Sequence, residues 1–507
     1  VPAAQAKAVG MAPPNVLSPG LQNVARAEGA DPLENPSGDL AFFGYKNNGP
    51  MVPSLGSNVE ASKTEPDKNT YLVLRGQTGP DPHYYYGTHF VFQGHEGGGA
   101  GYITRVNLDA DSAHRVTVLA TKDTGGNPLP TIDGSSWDPF TGKLLFTSES
   151  GSNQSIIQIA ANYNGNAAAQ DISGIVGRGA YEGVQVDKDG NLWLVEDSGG
   201  TTINGAKLPN SFVYRFVPKN KSDLTAGGKL QVLQVTSLRN GQPIVFHGAA
   251  EAEQAIFGDD VRDLHTYGKK FNTKWVTIHD TAVDGTTAYD ANALAKAKNG
   301  TPLKRPENGV FRPGTNFGEF YFSETGDTSA TSPADDSSRS TTQLSNLDNA
   351  FGGLGGLFRL SQKSPSSDTG VLSLAVKGDL QHTGFDNVSF WNRDQIAVLE
   401  DAGDTLHTQR NAFDSGYLYD VSKSHPQAVR FLAEGRDPSA TLDSGLSGTA
   451  GFNNEGDNEV TGIHVSDGDA SRSGLLGARI PTPFHGDWRV FWTQQHGNNV
   501  LWEIQRG

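Results

Sequence analysis

The chain has 507 residues, of which 62 are glycine, 26 are proline and only 36% are hydrophobic. Its formal charge is −16 and it contains no cysteine. The charge argues against a nucleic-acid partner, which calls for a basic surface, and the missing cysteine excludes disulfides, thiolate ligands and a cysteine nucleophile. No apolar run approaches the roughly 18 residues of a membrane-spanning helix.

The N-terminus, VPAAQAKAVG, has neither a basic flank nor an apolar core and reads as the mature end of an exported chain. A secreted or periplasmic bacterial location is therefore expected. Further along, one unit recurs about seven times: a short apolar strand ending in a polar pair, a glycine-rich corner, then an alternating strand. The first strands end as HFVFQGHEGGG, LLFTSESGS, LWLVEDSGG, WVTIHDTAVDG, FYFSETGDT, IAVLEDAGD and VFWTQQHGN. The strands that follow include GYITRVNL, SIIQIAAN, SFVYRFVP, GGLFRLSQ, GYLYDVSK and NVLWEIQR.

Repetition of this kind predicts an all-β, seven-bladed β-propeller, since a single blade cannot bury both of its faces. A pair of β-sandwiches would have no reason to repeat the polar pair. Residues 71–507 are expected to form one propeller domain and residues 1–70 an N-terminal extension contributing to ring closure. The last recurrence ends after its third strand, so an N-terminal segment, AFFGYK or YLVLRG, is expected to close the last blade and leave no free edge.

In a tight hairpin the residue that starts the first strand and the one that ends the second lie at the same end of the blade. In EGVQVDKDGNLWLVED these are Glu182 and Glu196. Comparable pairs are His265 with His279, Glu307 with Glu324, and His382 or Asp386 with Glu400. The last unit offers Glu459 or His464 with Gln495 and His496, and the first two add His95, Glu96 and Glu149. Carboxylates and imidazoles gathered at one rim repel or desolvate each other unless cations bind. Mixed Glu/His donors suit Mn²⁺, Zn²⁺ or iron, whereas all-carboxylate corners such as Glu149 or Asp197 suit Ca²⁺. Arg305, two residues before Glu307, is placed to clamp phosphoryl oxygens. The chain has no GxSxG elbow, GxxxxGK[ST] loop or HExxH helix.

These segments resemble the PhoX-like propeller family, which includes secreted bacterial alkaline phosphatases and haloalkylphosphorus phosphotriesterases. The resemblance runs from about Gly87 to the C-terminus through FVFQGHE, RGAYEGVQVDKDGNLWLVED, FVYRFVP, KRPEN, GFDNVSF, NEVTGIHVSDG and TQQHGNN. It implies a multinuclear metal centre and phosphoester hydrolysis, with Glu182, Arg305, Glu307, Asp386 and Glu459 as the positions that carry over. The family's iron phosphatases use a cysteine ligand where this chain has Phe92. Glu182, His382, Glu400 and His464 with one of His247 or His265 look similar to the mixed Glu/His set of the phosphotriesterases.

The expected function is thus metal-dependent hydrolysis of small phosphoesters, organophosphorus triesters foremost, by a hydroxide bridging a binuclear Mn²⁺ or Zn²⁺ centre with additional Ca²⁺. The metal ligands are expected among Glu182, His247, His265, Glu307, His382, Glu400 and His464, with Arg305 catalytic. Alkaline phosphatase action on monoesters or diesters is the enzymatic alternative, and a calcium-stabilised binding propeller is the non-catalytic one.

Overall fold

The computed structural model describes residues 16–45, 64–96, 101–148, 156–203, 206–327, 349–379, 381–401, 414–433, 459–495 and 499–507. Short strands dominate because the sequence alternates apolar and polar residues between turn signals. The KDG hairpin shows how a turn is fixed. Asp187 Oδ1 accepts from the backbone N–H groups of Asp189 (2.8 Å) and Asn191 (3.0 Å), and Gly190 takes φ +88°, a conformation that glycine adopts at little cost.

The strands form antiparallel four-stranded units arranged as a propeller-like ring. In the first unit the order from the inside outwards is Pro66–Val73, His89–His95, Tyr102–Asn107 and Val116–Ala120. In the second it is Ser135–Asp138, Lys143–Phe146, Ile157–Ile159 and Gln170–Asp171, and in the third Tyr181–Val186, Leu192–Glu196, Val213–Pro218 and Gly228–Val235. The fourth contains Pro306–Phe311, Glu319–Glu324, Gly356–Gln362 and Thr369–Lys377, and the fifth Phe385–Phe390, Gln395–Glu400, Ser415–Asp420 and Val429–Ala433. The sixth has Val460–Ser466, Arg489–Gln494 and Val500–Arg506, completed by Leu21–Ala27. Each innermost strand packs beside that of the next unit, and the sixth packs beside the first, so the ring closes on itself.

Two expectations are corrected here. Among the described residues there are six such units, not seven, because the WVTIHD of WVTIHDTAVDG ends a single long strand, Phe271–Asp280, and Thr281–Asp284 after it form a short helix. That strand pairs with Gly228–Val235 on one side and Thr369–Lys377 on the other, joining the third and fourth units into one nine-stranded sheet. Its alternation reflects two flanking sheet edges and not a hairpin of its own. The strand that completes the last unit is N-terminal, but it is LQNVARA rather than AFFGYK or YLVLRG. Tyr71, Leu72 and Val73 instead belong to the innermost strand of the first unit, which crosses residue 70.

The core lies between neighbouring units. Trp193, 1% exposed, meets Trp275, Phe311 and Phe320 from three other strands, with ring centroids 4.9 to 5.2 Å apart. Each large apolar side chain buried in this way contributes about 1.5–3 kcal/mol. Such packing makes the ring rigid enough to hold polar groups at its centre.

Candidate metal centre

In four units the innermost strand has a shift in pairing register directly after its first residue. The shifts fall between Pro66 and Asn69, Tyr181 and Gly183, Pro306 and Gly309, and Phe385 and Val388. The displaced residues are Asp67 with Lys68, Glu182, Glu307 with Asn308, and Asp386 with Asn387. A bulge takes a residue out of the pleat and re-aims its side chain. Asp133 stands two residues before the second unit's first strand and Glu459 one residue before the sixth's. Every unit thereby supplies one acid at the same end of its innermost strand. Two glycines let these strands come close: a Cβ on Gly134 would lie 2.1 Å from the Glu182 carbonyl oxygen, and one on Gly183 2.9 Å from that of Glu307.

Three groups of carboxylates converge, each with one oxygen per residue within 4.8 Å of the others: Asp67–Glu96–Asp133, Asp67–Asp386–Glu459 and Glu182–Glu307–Asp386. Asp67 belongs to the first two groups and Asp386 to the last two, so the three form a continuous arc. Neutral side chains orient the acids. Asn387 Nδ2 donates to Asp386 Oδ1 (2.9 Å) and Thr461 Oγ1 (2.7 Å), Thr461 donates to Asp67, and Gln495 Nε2 donates to Asp67 Oδ2 (3.3 Å) and to Glu96. Thr325 donates to Glu307. Arg305 grips Asp197 through Nε (2.9 Å) and Nη2 (2.6 Å), and its Nη2 lies 3.5 Å from Glu307 Oε1. Its φ of +58° turns the chain sharply at this point.

The charges do not balance. Burial, followed by Asp197 and Asp386, pushes the Glu307 carboxyl well above the usual range. Burial, then Asp67 and Asp401, does the same to Asp386, and burial with Asp401 and Asp67 does so to Glu459. Asp67 is also raised by burial. The buried cations facing these acids are Arg305 and Lys68. Burial alone would lower Arg305, but Asp197 and Glu307 outweigh it and raise its pKa well above the ordinary value. Lys68 is pushed down to about 8 by burial, against the pull of Asp67, Asp386, Asp133 and Glu182, and its Nζ donates to the Ile463 carbonyl at 3.3 Å.

A cation fits this donor set. The three groups offer oxygen alone, the atom that hard divalent ions prefer, and Asp386 Oδ2 is buried with no hydrogen bond from any described residue.

Of the residues expected from the sequence, Glu182, Glu307 and Arg305 meet here with Asp386 and Glu459, which the resemblance implied, and with the rim carboxylates Glu96 and Asp197, whereas Glu400, His247, His265, His382 and His464 lie elsewhere. Glu400 is buried, but its carboxylate accepts the backbone N–H groups of Thr383 and Ser415, both at 3.0 Å. His265 Nε2 is 2.7 Å from Glu324 Oε2, and His247 Nδ1 is 3.1 Å from Glu251 Oε2 on the rim of a separate cavity. His382 Nδ1 is bound to Asp379 Oδ1 at 2.9 Å near the surface. His464 faces the channel interior, outside all three groups, and burial pushes it down to about 3, which keeps it neutral. Phe92 points into an apolar cluster with Phe90 and Ile103. Glu149 and His496 lie outside the described residues.

The parity of the polar pairs explains which residues meet. The first member of each pair, His95, Glu196, Glu324 or Glu400, is the residue opposite the first residue of the innermost strand. Each accepts or shares hydrogen bonds within its own unit or with the segments packed on it. The second member, Glu96, Asp197, Thr325 or Asp401, reaches the mouth. Asp67, Asp133, Lys68 and Asp401 were not among the expected site residues. Their signal is a short recurring pattern, acid then Asn or Gly within a few residues, seen in PDKN, IDG, YEG, PEN and FDN.

The sequence model of the alkaline phosphatase PhoX family matches residues 176–471, more than half of the chain. The chain belongs to the PhoX family. PhoX enzymes hydrolyse phosphoesters with metal ions, and the acidic arc is consistent with that chemistry. Pseudomonas fluorescens PhoX, solved in complex with vanadate, is similar in fold, with a TM-score of 0.56 and 11% identity over 100% of this chain and 98% of that one. TolB from Acinetobacter baumannii is similar at 7% identity over 87% of this chain and 65% of that one, with a TM-score of 0.31, too low to bear on the site. No curated protein matches the sequence. Among the described residues no helix is long and apolar enough to cross a membrane.

Proposed function

We propose that this protein is a phosphoric ester hydrolase whose divalent cations are held by Glu182, Glu307 and Asp386, by Asp67, Asp386 and Glu459, and by Asp67, Glu96 and Asp133. The observation that carries this reading is the arc of three carboxylate groups sharing Asp67 and Asp386 beside a guanidinium. Cations bound there would polarise the phosphoryl oxygen and supply hydroxide at neutral pH. Pure oxygen donors favour Mn²⁺ and Ca²⁺ over Zn²⁺, which commonly takes imidazole nitrogen.

The chain's own residues bind and orient the ester. Arg305, locked by Asp197, presents its guanidinium beside Glu307, where a phosphoryl oxygen bound at that group would meet it. Thr325, Asn387, Thr461 and Gln495 hold the carboxylates in place, so little reorganisation accompanies charge development. Lys68 offsets part of the negative charge from within the channel.

Charge balance favours a neutral triester, because Arg305 is already matched by Asp197 and a dianionic monoester would meet the remaining acids. Family membership favours the competing reading, monoester hydrolysis of the alkaline phosphatase type. Export of the chain belongs to either reading, and fractionation of the producing cells checks it.

The deciding experiment measures bound metals and the hydrolysis of 4-nitrophenyl phosphate, its diester and its diethyl triester, before and after chelation. Chelator-sensitive cleavage of any of them supports the hydrolase, and the preferred ester separates the two readings. Cleavage undiminished by complete metal removal defeats the mechanism. Bound calcium with no cleavage would leave a metal-stabilised binding propeller.

A further inference from the structure

A cavity of ≈ 460 Å³ lies beside the acidic arc, within the size range of small-molecule pockets. It is built from the connection between the third and fourth units, including helices Ala252–Phe257 and Asp259–Leu264, and no step above uses it. Apolar residues including Ile244, Val245, Leu264 and Leu303 form much of its wall, while Arg239, His247, Gln254, Asp259 and Asp260 form a polar edge, at which Arg239 pairs with Asp259 (3.3 Å) and Asp260 accepts from Ser237 (2.5 Å).

Lys304 and Glu324 also line the cavity, and each is the chain neighbour of a residue at the acidic arc, Arg305 and Thr325 respectively. The two segments are stitched together, since Thr325 N donates to Arg305 O (2.9 Å) and Lys304 N donates to Glu324 Oε1 (2.6 Å). Glu324 ends the second strand of its unit and Lys304 precedes the first, so both stand at the end of the ring that carries the acids. The cavity therefore lies at the end of the ring that carries the acids, next to the segments of Arg305 and Thr325.

The wall on that side is firm. His265 Nδ1 donates to the Val261 carbonyl (2.7 Å), which leaves one proton to be shared between Nε2 and Glu324 Oε2, also 2.7 Å apart. Lys304 Nζ pairs with Asp327 Oδ2 at 3.2 Å, with both side chains buried. With these polar groups engaged in one another, the surface they leave suits an apolar occupant more than an ionic one.

We propose that this cavity receives the organic group of the ester, selecting substrates that carry an aryl or similarly bulky apolar alcohol. The inference rests on the hydrolase reading above. An ester bound with phosphorus beside Glu307 and Arg305 would extend its alcohol portion into the cavity, and specificity would come from apolar burial there.

The test fills the cavity from two separate elements with Val245→Trp and Gln254→Trp, at positions that are partly or fully exposed and so leave the buried core untouched. With metal-loaded protein, kcat/KM is measured for 1-naphthyl phosphate, its diethyl triester and acetyl phosphate, and 1-naphthol binding is followed by equilibrium dialysis. Both variants should lower kcat/KM for the naphthyl esters by at least about tenfold, leave acetyl phosphate within about twofold, and weaken 1-naphthol binding. Equal effects on all substrates, or naphthol binding unchanged in both variants, overturns the proposal. If no ester is cleaved by the wild type while naphthol binds and both variants abolish binding, the hydrolase reading falls and the apolar pocket stands.

Discussion

Arg305 Nη2 lies 2.6 Å from Asp197 Oδ2 and 3.5 Å from Glu307 Oε1, so one guanidinium joins an acid at the end of a second strand to an acid at the start of an innermost strand in the next unit. The contact ties the third unit to the fourth at the candidate metal centre.

Arg305→Ala should destabilise the protein by about 3–5 kcal/mol, because it leaves Asp197 buried and unpaired. Arg305→Lys should recover part of that stability but not the activity, since an ammonium cannot reproduce the two-point grip on Asp197. Chemical denaturation in excess divalent cation, alongside initial rates, separates the two effects. Full activity in Arg305→Lys would refute a clamping role.

Asp386 serves two of the three carboxylate groups, whereas Asp133 serves one. Asp386→Asn should therefore weaken cation binding at two subsites by at least about 10–100-fold, and Asp133→Asn at one. Metal content after dialysis against a fixed low cation concentration reads the difference. Equal losses in both variants would mean that the groups do not share Asp386.

The raised carboxyls of Asp67, Glu307, Asp386 and Glu459 make cation-free stability depend on pH. A carboxyl with a raised folded-state pKa binds more protons folded than unfolded, so stability is greatest at low pH and falls as pH rises from the ordinary carboxylate range towards the raised values. Chelation should therefore lower the melting temperature more at about pH 8 than at about pH 5. Calorimetry with chelator and with excess cation checks this. A larger loss at the lower pH would show that these carboxyls are not raised.

Ring closure rests on a second cluster. Glu503 accepts from Arg26 Nε (2.6 Å) and from Arg489 Nε (2.7 Å) and Nη2 (2.6 Å), joining Leu21–Ala27 to the last unit. Burial pushes the Glu503 carboxyl up, but the two arginines hold it below its usual range. Its contribution is present above the ordinary glutamate range and is lost as pH falls. Glu503→Gln should cost about 1–3 kcal/mol and hasten proteolysis near residue 20. Limited digestion followed by mass analysis tests it. An unchanged cleavage rate would argue that the cluster does not hold the closing strand.

The recurring strands and corners in the sequence were enough to establish an all-β ring with acids at one rim, because periodicity and turn chemistry are local. Glu182 and Glu307 were legible for the same reason: each begins a hairpin whose turn can be read directly. The number of units was not, since Phe271–Asp280 looks like a hairpin strand until both of its partners are known. Nor was the choice between neighbours such as Glu400 and Asp401. A register shift of one residue decides which side chain of a pair reaches the mouth, and that shift is set by bulges whose pairing spans two strands. The imidazoles His247, His265 and His382 fell away because an inserted segment, a buried carboxylate or a surface turn holds each of them. Asp67 joins the centre from far along the chain only because the ring closes. The sequence by itself determined the kind of fold and the kind of chemistry, whereas the ligand set was decided by tertiary structure, because six strands distant in sequence must each aim one acid at a common point.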